Sequence, residues 1–214
     1  MSRSKVRRIL PLLSLPILAS VLVIGSRDAD AQATRQAAAT PNAARIKRGE
    51  YLVTLGGCND CHTPWKMGAN GVPEPDMTRM LSGHPEGMPL PPPPKPVGPW
   101  MMAVTATNTA WAGPWGISYT MNLTPDENTG LGIWTEDMFF KAMRTGKHMG
   151  TSRPIMPPMP WFNYGKATDE DLRSIHAYLR SIPPIKNRVP DYEEPKGPPP
   201  PPPPAAKPAP AKKP

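Results

Sequence analysis

The chain has 214 residues, 34 of them proline, and a formal net charge of +8. Its 2 cysteines, Cys58 and Cys61, are too few and too close together for the disulfide framework of a small secreted domain. Lys and Arg are scattered rather than gathered in a stripe with interleaved aromatics, which argues against nucleic acid as a partner.

Arg3, Lys5, Arg7 and Arg8 precede a mostly apolar run over 9–25, and Ala29-Asp30-Ala31 follows as a small-x-small cleavage site. That order predicts a secretory signal peptide over 1–31. The run is shorter than the ~20 residues a spanning helix needs, and Pro11 and Pro16 interrupt it. Cleavage and export to a bacterial periplasm are therefore expected. The alternative is an uncleaved segment anchoring the chain to the inner membrane, and a membrane partner enters only on that alternative. Removing Arg3, Lys5, Arg7, Arg8 and Arg27 against Asp28 and Asp30 leaves a mildly basic mature chain. Such a charge speeds encounter with an acidic partner. Residues 32–41 read as a flexible leader.

Asn42 can cap a helix over 43–55, in which Ile46, Gly49, Leu52, Val53 and Leu55 cluster on a broad face. Gly56-Gly57 ends it. A glycine inside so short a helix costs ~1 kcal/mol unless a second helix crosses closely there. Tyr178 or Leu179 is the expected filler of that crossing. Cys58-Asn59-Asp60-Cys61-His62 then spells C-x-x-C-H, the attachment signature of a c-type haem. Two thiols at this spacing can each form a thioether with one vinyl group of the same porphyrin. The histidine after the second thiol is held beneath the ring, where its imidazole can bind iron. One motif implies one haem c, covalent through Cys58 and Cys61. A redox C-x-x-C would follow a strand in a βαβ unit, which is not visible here. A zinc site wants four ligands, and the other histidines, His84, His148 and His176, are not paired in spacing.

Residues 65–121 form a long stretch rich in Pro, Gly, Met and Trp, with a proline run over 89–99 and no convincing strand alternation. Thr135 caps a second helix, 136–145, with Trp134 and Phe139 at the hydrophobic-staple positions and Gly146 just past its end. Thr168 opens a third, 169–181. Asp169, Glu170 and Asp171 fill its first turn, Leu172, Ile175 and Leu179 its apolar stripe, and Pro183-Pro184 stops it. The fold expected is all-α. Residues 191–214, dominated by Pro, Ala and Lys, read as a disordered tail, more a spacer than a docking peptide. No internal repeat is present, and 42–190 reads as one domain.

With 13 methionines, a lone Met means little. Met159 is set apart by Pro157-Pro158-Met159-Pro160, a stiff segment able to hold a sulfur at fixed height; Met156, in Ile155-Met156-Pro157, is the rival. His148 and His176 read as packing or surface residues, and His84 has no pattern around it. Most of the 6 tryptophans read as apolar wall for a haem.

The order of these parts resembles the class I c-type cytochromes, and most closely the cytochrome subunits and domains associated with bacterial dehydrogenases. Arg48-Gly49-Glu50-Tyr51-Leu52, Cys58 to Pro64, Asn122-Leu123-Thr124-Pro125-Asp126, Thr129 to Thr135, Pro158-Met159-Pro160-Trp161, Asp169 to Leu172 and Ala177 to Ser181 carry the resemblance. It implies a cytochrome c fold with crossed N- and C-terminal helices around one haem. It also implies His62 and Met159 as the two iron ligands, and the insertion over 65–121 departs from the small family members. The function implied is single-electron transfer between redox partners: a dehydrogenase, and a terminal oxidase or another cytochrome. Such a chain is a carrier and not itself an enzyme. The alternatives are a subunit dedicated to a larger dehydrogenase complex and an open-site haem enzyme or gas sensor.

Overall fold

The computed structural model describes residues 42–95 and 99–196. The expected signal peptide, leader and most of the proline tail lie outside them. The first helix, α1, covers 42–55 and is already helical at Asn42, so Asn42 lies within it rather than capping it. A one-turn helix, α2 (Cys58–His62), follows after Gly57, whose φ of 65° favours a residue without a side chain. Then come α3 (Glu136–Thr145), α4 (Trp161–Tyr164) and α5 (Asp169–Ser181). The bounds of α3 and α5 agree with the sequence reading because both ends of α3, and the start of α5, carry strong local signals. Thr135 Oγ1 accepts from Met138 N at 3.2 Å, and Thr168 Oγ1 accepts from Asp171 N at 3.1 Å. Gly146 closes α3 in the left-handed region, donating to Ala142 O at 3.0 Å. Each such cap contributes ~1 kcal/mol.

Val53 of α1, Phe139 and Ala142 of α3, and Leu172, Ile175 and Leu179 of α5 meet in one core with Leu81, Leu131, Trp134 and Ile182. Side chains of this kind stabilise by about 1.5–3 kcal/mol each when fully buried. α1 crosses α5 at Gly49. A Cβ there would stand 1.9 Å from Ser174 O and 2.7 Å from Tyr178 Cβ, so the two backbones touch where the side chain is missing. Of the two expected fillers, Tyr178 meets Gly49 together with the Ser174 carbonyl, and Leu179 belongs to the core. Arg48 Nε donates to Asp171 Oδ1 at 2.8 Å beside this crossing.

The all-α expectation is overturned: the described residues also form two small antiparallel sheets, so the fold is mixed α and β. β1 (Trp65–Met67) pairs with β2 (Pro73–Pro75). β3 (Ala103–Val104), β4 (Ala110–Gly113) and β5 (Gly116–Tyr119) form the second sheet in that order. Its register sets Val104 opposite Trp111 and Trp111 opposite Ser118. The physical reason for the miss is length. Strands of two to four residues are too short for alternation to register, and β2 reads Pro-Glu-Pro, a composition that normally argues against a strand. All five strands lie within the insertion. Past α5 the chain returns to this sheet, where Ile117 and Glu193 exchange two backbone hydrogen bonds at 2.9 and 3.0 Å.

Asn122 and Asn187 tie the chain past α5 to the insertion and to the loop before α3. Asn122 is 1% exposed; its Oδ1 accepts from Thr124 N and Oγ1, and its Nδ2 donates to Ile185 O at 2.8 Å. Asn187, also 1% exposed, donates to Ser82 O at 2.7 Å and His84 O at 2.8 Å and accepts from Arg79 and the Glu86 amide. Among the described residues no helix is long and apolar enough to cross a membrane.

Candidate haem site

Cys58, Cys61 and His62 occupy positions i, i+3 and i+4 of α2, which places all three on one side of the helix. Both thiols are free and half-buried. Burial raises the Cys58 thiol to about 11, with the Asp60 charge adding to the effect, and burial also raises Cys61. Both sulfurs are therefore protonated at neutral pH.

His62 is buried, and its Nδ1 lies 2.8 Å from Met121 O. A carbonyl can only accept, so Nδ1 carries the proton and Nε2 keeps its lone pair. No hydrogen bond from a described residue reaches Nε2. Burial lowers the pKa of the imidazole, which keeps it neutral and able to ligate. A ligating histidine oriented through its other nitrogen is the usual arrangement at metal centres. Two thiols and one oriented neutral imidazole on a single helix face fit haem c. By contrast, no group of three or more His, Cys, Asp or Glu among the described residues can hold a metal ion by itself.

The insertion fixes α2 from behind. Asp60 O accepts from Trp65 Nε1 at 3.0 Å and from Asn108 Nδ2 at 2.6 Å, which satisfies a carbonyl that the short helix leaves open. Thr63 is fully buried, and its hydroxyl accepts from Leu81 N at 2.9 Å while donating to Asn59 Oδ1 at 2.8 Å. His62 O accepts from Gly83 N at 2.8 Å.

Met159 and Met156 are both half-buried in the segment between α3 and α4. Contacts on either side of Met159 hold this stretch. Ser118 Oγ donates to Pro157 O at 2.5 Å, and the Tyr164 hydroxyl, five residues beyond Met159, donates to Gly56 O at the junction of α1 and α2. Burial, the largest cause, raises the Tyr164 phenol to about 12, so it remains a donor. Ser118 stands three residues before Met121. One short run of chain thus touches both the His62 ring and the Met159 segment.

The other histidines lie elsewhere. His148 meets Trp134 edge-on with centroids 5.0 Å apart, and His176 Nε2 lies 3.3 Å from Trp134 O. Both pack on the helical core. His84 is fully buried within the insertion, its Nδ1 2.9 Å from Thr109 Oγ1, and burial lowers it to about 4. Four buried polar atoms of the insertion have no partner among the described residues: Ser82 Oγ, His84 Nε2, Trp111 Nε1 and Thr120 Oγ1.

Sequence reasoning missed Met121, Ser118, Asn108 and Asn187. Met121 acts through its backbone carbonyl, which no side chain advertises. Its neighbour Asn122 opens a motif that the sequence did mark.

No protein-family model matches the chain. Among curated proteins it is similar to the fructose dehydrogenase cytochrome subunit of Gluconobacter japonicus, 27% identical over 184 residues, covering 86% of this chain and 31% of that protein. It is 30% identical over 177 residues to the gluconate 2-dehydrogenase cytochrome c subunit of Pantoea cypripedii, covering 81% of this chain and 31% of the relative. The cytochrome c subunit of the quinone-dependent alcohol dehydrogenase of Gluconobacter oxydans is 28% identical over 155 residues, covering 71% of this chain and 25% of the relative. The chain therefore spans about a third or less of the length of these relatives. It is similar to cytochrome c subunits of bacterial dehydrogenases.

Proposed function

We propose that this chain is an exported single-electron carrier with one haem c, working as a cytochrome c subunit or domain for a bacterial dehydrogenase. The observation that carries the reading is His62, buried on the same helix face as Cys58 and Cys61, with its Nδ1 proton fixed on Met121 O. When bound, the haem supplies a one-electron couple at iron. Cys58 and Cys61 would hold it covalently, His62 would ligate iron through Nε2, and Met159 would supply the second ligand. Trp65 and Asn108 brace α2 so that the histidine keeps its height and orientation. Ser118 and Tyr164 brace the Met159 segment from two sides. Rigid ligands suit electron transfer because little then moves when the charge on the site changes.

The dedicated-subunit reading gains support from one further observation. Trp100, Met101, Met102 and Val104 expose 74%, 62%, 47% and 48% of their surface. Val104 shares a face with Trp111 and Ser118, so this apolar strip continues the face that touches the Met159 segment. A dehydrogenase protein seated on it would lie beside the sheet that touches the Met159 segment. The signal-peptide order over 1–31 supports export to the periplasm.

The test of the ligand set is Met159→Ala in haem-loaded full-length protein. Covalent haem is retained, and the midpoint potential falls by a substantial part of the roughly 0.8 V that axial ligation spans. An unchanged potential and spectrum in this variant, with both changed in Met156→Ala, would transfer the ligand role to Met156.

A further inference from the structure

The described chain ends beside the second sheet. Past α5, Glu193 and Ile117 of β5 exchange backbone hydrogen bonds at 2.9 and 3.0 Å, so the chain there runs antiparallel to β5. A Cβ on Gly116 would stand 2.0 Å from Glu193 O and 3.0 Å from Pro195 N, which puts Pro195 over the β4–β5 turn. The Tyr192 hydroxyl donates to Trp115 O in that turn and fixes the exit. β3 is entered from the same end of the sheet. Its register sets Ala103 opposite Ala112 and Val104 opposite Trp111, so the chain reaches β3 from the side of Gly113. Trp100, Met101 and Met102 stand just before it, all exposed. With Val104 and Trp111 they line a groove that contains no charged side chain.

Residues 197–214 follow the described chain, and 198–204 are seven successive prolines. The gap they would have to cross is set by the sheet. From Glu193 the order is β5, β4, β3, three steps of about 4.8 Å, or roughly 15 Å. In the polyproline II form a run of seven residues at ~3.1 Å each spans about 22 Å. The run covers the gap, and Gly197 ahead of it can turn the chain because it has no side chain to restrict φ. The chemistry matches the reach. Prolines have no N–H to desolvate, and their fixed φ leaves little entropy to lose on docking. Such runs dock on grooves lined by aromatic rings, which Trp100 and Trp111 supply here.

We propose that the proline run 198–204 lies in the groove of Trp100, Met101, Met102 and Trp111, as an intramolecular ligand of the insertion. The tail is then a cover for the apolar strip rather than a bare spacer. The same strip is the seat suggested above for a dehydrogenase, so a partner has to displace the run in order to dock. That consequence rests on the proposed function; the contact itself does not.

Hydroxyl-radical footprinting, read by peptide mass spectrometry, tests the contact in full-length protein. The comparison is with a variant in which residues 198–204 are exchanged for alternating glycine and serine. The exchange keeps the length of the tail and leaves every described residue in place. Oxidation at Trp100, Met101 and Met102 is expected to be roughly two- to tenfold faster in the variant, as loss of a weak ligand held at millimolar effective concentration implies. Met67 and Met77, exposed and outside the groove, keep the parental rate. Equal rates at the groove in the two proteins would overturn the proposal. A rise at all five residues would do the same, since the tail would then shield the surface at large. So would protection of the parent that fades on dilution, because the occupant would be the tail of a second copy. The footprint does not depend on haem: a chain that binds no covalent haem would remove the proposed function and leave this comparison standing.

Discussion

The helical frame and the insertion are held together by different physics. In the frame, α1, α3 and α5 bury aliphatic and aromatic side chains against one another, and the tightest contact is a bare backbone crossing at Gly49. In the insertion, short strands and loops are pinned by buried amides and hydroxyls: Asn122, Asn187, Thr63, Thr109 and the carbonyls they serve. Apolar packing is non-directional and mainly punishes changes of volume. A buried polar network is directional and punishes loss of a single atom. The division suits the proposed function. The frame supplies bulk stability, and the insertion sets the orientation of His62 and of the Met159 segment to within a hydrogen bond's tolerance.

Three substitutions break or sharpen this contrast. Gly49→Leu drives a side chain into Ser174 O and Tyr178. It is expected to lower unfolding stability by about 3 kcal/mol or more, while folded molecules keep the parental haem spectrum. Chemical denaturation followed at the Soret band checks this, and unaltered stability would mean that α1 and α5 do not cross there. Asn187→Ala strips the partners from Ser82 O, His84 O and the Glu86 amide. An expected loss of about 2–3 kcal/mol is accompanied by a changed midpoint potential, since the 82–84 segment also donates to His62 O. A loss of stability with an identical potential would separate the insertion from the site. The smallest effect belongs to the surface. Hydrogen bonding from Thr168, then the Arg48 guanidinium, holds the Asp171 carboxyl below its ordinary value. A carboxyl depressed in the folded state contributes stability that is complete above its unfolded pKa, near ~3.9, and is lost as pH falls through the folded one. Asp171→Asn should therefore lose a small amount of stability at pH 7 and flatten the profile below about pH 4, where variant and parent converge. A parallel downward offset at every pH would show that the carboxylate charge is not what matters.

The frame was legible in the sequence because its signals are local. Thr135 and Gly146 bound α3, Thr168 opens α5, and Leu172, Ile175 and Leu179 repeat at helical spacing. The grouping of Cys58, Cys61 and His62 on one side of α2 was legible because their spacing matches one helical turn. The insertion was not. Its strands are too short to alternate, and Asn187 reaches Ser82 and His84 from more than a hundred positions away. Met121 contributes only a carbonyl, which any residue could supply, so sequence could mark His62 as the expected ligand but not the group that aims its ring.

The most direct test of the central claim is the absorption spectrum of periplasmically matured protein, oxidised and then reduced with dithionite, with and without carbon monoxide. The account predicts sharp c-type bands, a methionine-to-iron charge-transfer band in the oxidised form, and no response to carbon monoxide. A high-spin spectrum that carbon monoxide shifts would contradict it, and would make the site an open haem suited to an enzyme or a gas sensor.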